Sequence, residues 1–172
     1  MRNLLRMPRT TIHTSLLVCL SLLASAASAA ELRGKVIKIT DGDTVVILDA
    51  KKAQHKIRLN GIDAPESQQP FGTKSRQHLG GLIHEKEVRI VWTKRDRYGR
   101  ILGTVYLDQQ NVNLEMVRSG FAWRFVRYSK DEELATAENV ARLAKIGLWA
   151  DENPIAPWEW RKQQSTLRKV LK

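Results

Sequence analysis

Cysteine is almost absent from this chain of 172 residues, which contains a single one, Cys19. Cys19 lies in an N-terminal segment that we expect to be removed from the mature protein. A mature chain without cysteine excludes a disulfide framework, a thiolate metal site and a cysteine nucleophile. His55, His78 and His84 lack the spacing of metal ligands, so a zinc centre is not expected either.

Residues 1–29 have the pattern of an export signal. Three arginines and no acid precede an apolar run at residues 15–23, and an Ala-Ser-Ala cleavage site follows at residues 27–29. The apolar run is too short to cross a membrane, although an anchoring helix is the alternative interpretation. We therefore expect an exported protein, secreted or periplasmic, with no membrane anchor after cleavage.

Acidic residues are scarce relative to basic ones, with 18 Asp and Glu against 29 Lys and Arg. Removal of the signal takes away three arginines, which lowers the formal charge from +11 to +8. A basic exported protein is expected to bind a polyanion or an anionic surface. The chain shows neither repeats nor a linker, so we expect one domain at residues 30–160 and a mobile basic tail at residues 161–172.

Hydrophobic alternation predicts five short strands in the mature chain. They are placed at residues 33–40, 44–48, 54–60, 87–93 and 101–107. Three helices are predicted: residues 73–86 with Thr73 as cap, residues 113–119, and a helix that begins at the capping box of residues 129–132 and ends at Gly147. The residues after Trp149 are expected to be extended. This order favours an α+β fold, a five-stranded barrel of the oligonucleotide-binding (OB) type with three helices.

Three acids and two arginines stand at strand ends or on strand faces, where a rigid sheet can hold them. Asp43 precedes the second strand, Arg58 is on the polar face of the third, Asp63 and Glu66 follow that strand, and Arg100 opens the fifth. Oxygen ligands beside guanidinium groups suit a hard divalent cation and a phosphate.

Each of these residues also has a purely structural interpretation. Asp43 can be a turn residue, Asp63 and Glu66 can belong to a solvated loop, and Arg58 can be an ordinary surface charge. Arg100 can pair locally with Asp96, four residues earlier. Only the combination points to chemistry.

Taken in order, these pieces resemble the staphylococcal nuclease family, also called micrococcal nucleases or thermonucleases. The matching pieces are Asp-Gly-Asp-Thr at residues 41–44, Arg58 with Leu59, Asp-Ala-Pro-Glu at residues 63–66 and Tyr-Gly-Arg at residues 98–100. Order and spacing follow the family, and the resemblance extends from about Gly34 to Trp149.

The resemblance implies a calcium-dependent phosphodiesterase that cuts DNA and RNA with low sequence specificity and leaves 3′-phosphate ends. It implies that Asp43 and Asp63 bind Ca²⁺ through their side chains and Ala64 through its backbone carbonyl, at a position where the family usually has threonine. Glu66 would hold or deprotonate the attacking water.

The same resemblance implies that Arg58 and Arg100 bind the scissile phosphate, where fixed guanidinium groups stabilise developing negative charge. Tyr98, Tyr128 and Arg97 are further candidates for contacts to the substrate, since the family stacks bases on tyrosines and basic turns can hold phosphates. DNA and RNA are the expected partners of a monomer without a stable protein partner.

Two other function classes remain open from the sequence. An OB-fold module could bind nucleic acid after losing catalysis, and a basic cell-surface protein would not need the carboxylates. The complete set of acids and arginines favours the enzyme.

Overall fold

A computed structural model describes residues 29–171. The predicted signal segment lies outside this range, apart from Ala29. No helix within the described range is long and apolar enough to cross a membrane.

Eight strands are present in the described range, and five of them form a barrel. The strands are β1 (Ala30–Ile39), β2 (Thr44–Leu48), β3 (Gln54–Leu59), β4 (Ile62–Asp63), β5 (Glu87–Arg95), β6 (Ile101–Leu107), β7 (Gln110–Asn111) and β8 (Trp123–Arg124). The order β3-β2-β1-β5-β6 is antiparallel throughout, and a parallel pairing of β3 with β6 closes it. The predicted five-stranded OB-type barrel is therefore confirmed.

Four α-helices lie in the described range, rather than the predicted three. They are α1 (Gly72–Ile83), α2 (Val112–Arg118), α3 (Glu132–Leu143) and α4 (Pro157–Val170), and a short 3-10 helix covers Gly147–Ala150. The prediction of an extended chain after Trp149 was wrong, because Pro157 occupies the first helical position, where its fixed φ and missing N–H favour a helix start. The predicted boundary between domain and tail, at residues 160 and 161, falls inside α4.

Two predicted helix starts also differ from the structure. Helix α1 follows Phe71 and ends at Ile83, so Thr73 lies inside the first turn instead of capping it. Helix α3 is capped by Asp131, whose carboxylate accepts hydrogen bonds from the N–H groups of residues 133 and 134, while Ser129 lies before the cap. The carboxylate of Asp131, rather than the hydroxyl of Ser129, therefore caps α3.

The buried face of α3 differs from the one that its apolar periodicity predicts. Helical spacing puts Leu134, Ala137 and Val140 on one stripe and predicts that Val140 is buried, but Val140 is 54% exposed. Glu138 is turned inward instead, because its carboxylate accepts a hydrogen bond from the backbone N–H of Arg124 at 3.0 Å. A polar contact to β8 thus sets which side of α3 faces the protein.

The barrel interior forms the main hydrophobic core. Its largest fully buried side chains include Ile47, Ile57, Leu59, Ile90 and Ile101 from the strands and Leu79 and Ile83 from α1. A second, smaller cluster contains Trp123, Ala141, Leu148, Trp149 and Ala156, with Phe71 and Trp158 packed against it. This second cluster joins α3, the 3-10 helix and the start of α4, and it fixes α4 to the domain.

Asn113, at the start of α2, connects this helix to the barrel. Its Oδ1 accepts a hydrogen bond from the Val105 N–H at 3.0 Å, and its Nδ2 donates to the carbonyl oxygens of Asn60 and Gly103 at 2.8 and 3.2 Å. Because Asn113 and Val105 are both buried, the Val105 N–H has no access to water as a substitute partner.

We expect Asn113→Ala to lower the free energy of unfolding by about 2 kcal/mol, because it leaves the buried Val105 N–H unpaired. Urea unfolding followed by circular dichroism would measure the change. The exposed Gln110→Ala variant serves as the control and should change stability by less than about 0.5 kcal/mol. Equal stability of the two variants would contradict the structural role of Asn113.

Candidate active site

Arg58 is the centre of a buried charged cluster at the end of β3. Its Nη1 lies 3.0 Å from Asp43 Oδ2, and its Nη2 lies 2.8 Å from Asp63 Oδ1. Nη1 also donates to the carbonyl oxygens of Leu59 and Ile62 at 3.1 and 3.0 Å. One guanidinium thus holds together two carboxylates that are far apart in the sequence.

The backbone brings the two aspartates to this place. Arg58 pairs with Thr44 across β2 and β3, and Asp43 directly precedes Thr44. Asp63 ends the two-residue strand β4, which pairs with β8. The Ala64 N–H donates to Asp43 Oδ2 at 2.7 Å, which connects the second loop to the first. Asp43, Asp63 and Ala64, the three predicted metal ligands, therefore lie together and are all buried.

Asp41 belongs to the same cluster, although it was not among the predicted site residues. Its pKa is raised to about 7, first by burial and then by the charge of Asp43, while the Asp43 N–H and Arg58 oppose the shift. Near neutral pH it therefore contributes less than a full negative charge. The Asp-Gly-Asp spacing was a signal that a second carboxylate could lie beside Asp43.

Burial also raises the pKa of Asp63 above its ordinary value. A hydrogen bond from Arg161 opposes this effect, the charge of Asp43 adds to it, and Arg58 again opposes it. The raised pKa shows that burial and the charge of Asp43 together outweigh the two guanidinium groups.

Arg161 reaches this cluster from α4. Its Nη2 lies 2.6 Å from Asp63 Oδ2, and its Nη1 lies 2.5 Å from Glu66 Oε1. Arg161 was not among the predicted site residues, because residues 161–172 were expected to form a mobile tail. A proline at a helix start four residues earlier was the one local signal that could have revealed a helix here.

The start of α4 is held by contacts on both sides. The Gln69 side chain donates to the Ile155 carbonyl at 2.6 Å and accepts a hydrogen bond from the Glu66 N–H at 3.1 Å. Trp158 stacks on Phe125 with 5.6 Å between ring centroids. These contacts position Arg161 above the loop that carries Asp63 and Glu66.

Arg100 lies outside this cluster and forms the local pair with Asp96. Its Nε is 2.7 Å from Asp96 Oδ2, which is its only ion pair among the described residues. Burial favours a higher pKa of Asp96, but hydrogen bonds from the Arg100 side chain and from the backbone N–H groups of Arg100 and Tyr98 lower it below its ordinary value.

The strand register nevertheless places Arg100 close to Arg58. Arg58 is opposite Leu102 in the parallel pairing, and Arg100 is two residues before Leu102, at the entrance to β6. Neighbouring strands lie about 4.8 Å apart and rise about 3.3 Å per residue, so a continuation of β6 to Arg100 corresponds to about 8 Å between the two Cα atoms. A released Arg100 side chain can therefore reach the space in front of Arg58.

The remaining predicted substrate contacts are on the surface. Tyr98 and Tyr128 are exposed. Arg97 donates to the Tyr98 hydroxyl at 2.6 Å and lies over its ring. Tyr128 packs edge-on against Phe125. Both rings are accessible, and Tyr98 stands beside Arg100 in the turn before β6.

The donor chemistry of the cluster fits a hard cation. Asp43 and Asp63 offer carboxylate oxygens at a place that already accommodates a positive charge from Arg58. No group of three or more His, Cys, Asp or Glu side chains in residues 29–171 is arranged to hold a metal. Two carboxylates with a carbonyl and water would suit Ca²⁺, which accepts oxygen ligands, better than zinc, which favours nitrogen and sulfur.

A closed OB barrel with buried aspartates and arginines at its strand ends has the groups needed to bind a cation and a phosphate ester. A family model described as staphylococcal nuclease homologue matches residues 56–151. This chain belongs to the staphylococcal nuclease family, a family of enzymes that hydrolyse nucleic acids.

Individual relatives agree with the family match. The chain is 45% identical over 156 residues to an uncharacterized endonuclease of Haemophilus influenzae, which covers 91% of this chain and 87% of that protein. It is 40% identical over 152 residues to a micrococcal nuclease of Shigella flexneri, and the match covers 82% of this chain and 87% of that protein. A staphylococcal-like nuclease of Arabidopsis thaliana, CAN1, is 43% identical over 109 residues, covering 63% of this chain and 34% of that protein.

Proposed function

We propose that this protein is an exported, calcium-dependent nuclease that hydrolyses DNA and RNA with low sequence specificity and leaves 3′-phosphate ends. The observation that carries the proposal is the buried arrangement of Asp43 and Asp63 around the Arg58 guanidinium. Export rests on the pattern of residues 1–29, and the family membership supports a phosphodiester substrate. We propose a monomer without a stable protein partner.

Asp43 and Asp63, with the Ala64 carbonyl, are the groups that would hold Ca²⁺. When bound, the cation supplies positive charge beside a phosphoryl oxygen. Asp43 is fixed for this task by the Thr44 hydroxyl on its Oδ1 and the Ala64 N–H on its Oδ2, and Asp63 by the Arg58 guanidinium on its Oδ1. The two carboxylates therefore lose little conformational entropy when the cation binds.

Arg58 and Arg100 bind the non-bridging oxygens of the scissile phosphate in this proposal. Arginine suits the position because its planar fork can form two parallel hydrogen bonds and does not lose its proton. Their positive charge lies where negative charge develops during hydrolysis. Arg100 has to leave Asp96 at least in part to do so.

Glu66 holds or deprotonates the attacking water. Its carboxylate is partly exposed, so water can reach it, and it lies beside Asp63 through their shared contact with Arg161. Tyr98, Tyr128 and Arg97 bind the nucleotides around the cleaved bond by stacking and by phosphate contact. This mode of binding suits substrates of many sequences.

Digestion of plasmid DNA and of RNA tests the proposal. We expect cleavage with Ca²⁺ and none with EGTA, and Glu66→Gln should be slower by about 10²-fold, since a general base contributes at least this much. The exposed Glu152→Gln variant is the control and should cut like the wild type. End-group analysis of the products should find 3′-phosphates.

Undiminished cleavage in EGTA would refute the dependence on calcium. Binding of DNA without cleavage in any condition would indicate the alternative, an OB-fold module that binds nucleic acid but does not cut it. In both cases binding should weaken steeply as salt is added, because the basic protein displaces counterions from the phosphates.

A further inference from the structure

Both oxygens of the Asp63 carboxylate are covered by guanidinium groups. Oδ1 lies 2.8 Å from Arg58 Nη2 and 3.2 Å from Arg161 Nη1. Oδ2 lies 2.6 Å from Arg161 Nη2. Asp63 is itself buried, so a new partner cannot reach its oxygens without replacing one of these contacts.

The two arginines differ in how firmly they are held. Arg58 is 13% exposed and makes two further hydrogen bonds to backbone carbonyls. Arg161 is 42% exposed, and its ion pairs are to Asp63 and Glu66. Arg161 therefore covers the solvent-facing side of Asp63. Breaking its contact with Asp63 costs less free energy than breaking the contact of Arg58.

The family match does not include Arg161. The matched residues end at 151, and α4 begins at Pro157. Only the first turn of α4 packs closely on the domain, while its residues beyond Arg161 are mostly exposed. The contact with Asp63 is thus supplied by a helix that lies outside the matched residues.

We propose that Arg161 sets the cation affinity of the site, because its guanidinium holds the position on Asp63 Oδ2 that a hard divalent cation would take. The inference rests on the proposed role of Asp63 as a calcium ligand. A divalent cation on Asp63 Oδ2 would lie at contact distance from Arg161 Nη2, where two positive charges repel in a partly buried site, so the cation has to displace Arg161. The apparent affinity is reduced by the fraction of molecules in which Arg161 occupies Asp63.

Calorimetric titration of the full chain with Ca²⁺, without nucleic acid, tests this competition. Arg161→Gln should bind Ca²⁺ about tenfold more tightly than the wild type, within the usual range of coupling between two sites. Arg161→Lys keeps the charge but cannot bridge two carboxylates, so it should bind with intermediate affinity. Arg168→Gln removes one charge from the same helix and should stay within about twofold of the wild type.

A second measurement follows the Arg161 side chain directly. Its Nε–H signal in ¹H–¹⁵N spectra, assigned by its loss in Arg161→Gln, should shift during the Ca²⁺ titration with the calorimetric midpoint. A signal that stays in place at saturating Ca²⁺ would overturn the competition, as would equal affinity of the wild type and Arg161→Gln.

These results separate the inference from the proposed function. If wild type and Arg161→Gln bind Ca²⁺ equally well, Arg161 does not compete and the calcium-dependent nuclease still stands. If Arg161→Gln binds and the wild type does not, the inference is supported. If neither protein binds Ca²⁺, both the calcium dependence and the competition are refuted.

Discussion

Replacing Arg58 with lysine is expected to slow phosphodiester cleavage by about 10²- to 10³-fold, the range found when one fixed electrostatic donor is removed. Two different nitrogens of Arg58 contact Asp43 and Asp63. An ammonium group is a single point of charge and cannot reproduce that geometry or bind a phosphate through two parallel hydrogen bonds. The loss should appear in kcat more than in KM, because the contact strengthens as negative charge develops.

Steady-state cleavage of a short labelled oligonucleotide would measure this loss, with thermal unfolding of each variant recorded in parallel. Arg58→Lys keeps a positive charge between the aspartates and should remain folded. Arg58→Ala should lose about 3–5 kcal/mol of stability, because it leaves two buried carboxylates without their shared cation. Lys56→Ala, on the same strand, is the matched control and should change neither quantity. Near-normal cleavage by a folded Arg58→Lys protein would remove Arg58 from the chemistry.

The barrel could be predicted from the sequence because its signals are local. Alternation in residues 54–60 and the apolar run at residues 44–48 specify strands whose buried faces are visible without knowledge of the fold. The strand boundaries were less certain: β1 begins at Ala30 and β5 continues to Arg95, both beyond the predicted limits. Pairing with a neighbouring strand extends a segment past the point where its own pattern ends.

The position of α4 could not be predicted in the same way. Its sequence is strongly polar and has few apolar residues, so it offers little of the apolar stripe that marks a packed helix. What fixes the helix is tertiary: Trp158 stacks on Phe125, and Arg161 pairs with Asp63, 98 residues earlier. Contacts over such separations leave no trace in a local pattern.

The candidate site, too, was predictable from the sequence only in part. Asp43, Arg58 and Asp63 were predicted to meet, and the structure brings them within hydrogen-bonding distance. The pairing of Arg100 with Asp96 was visible as an alternative because it spans four residues. The raised pKa of Asp41 depends on burial by the assembled loops, which composition and spacing do not reveal.

Replacing Gly42 with alanine should lower the free energy of unfolding by about 3 kcal/mol, at the upper end of the usual cost of overpacking a core. A Cβ at this position would lie 1.9 Å from Ser75 Oγ and 2.7 Å from the Ala64 Cβ. Ser75 cannot turn away freely, because its hydroxyl donates to the Phe121 carbonyl at 2.6 Å and the side chain is fully buried. The loop carrying Asp43 has to move instead, so activity should fall as well.

Denaturant unfolding of a small set of variants separates this steric effect from a general intolerance of alanine. Gly81→Ala, on α1 as is Ser75, meets no atom within 4 Å and should stabilise the protein by about 0.5–1 kcal/mol through helix propensity. Ser75→Ala removes the overlap with Oγ but leaves the contacts with the Ala64 and Ser75 Cβ atoms, and it costs the hydrogen bond to Phe121 in its own right. Gly42→Ala should therefore cost about 1 kcal/mol less in the Ser75→Ala background than in the wild type. Wild-type stability of Gly42→Ala would mean that the loop bearing Asp43 yields easily, and a loop that yields easily could not hold Asp43 and Asp63 in one fixed geometry around Arg58.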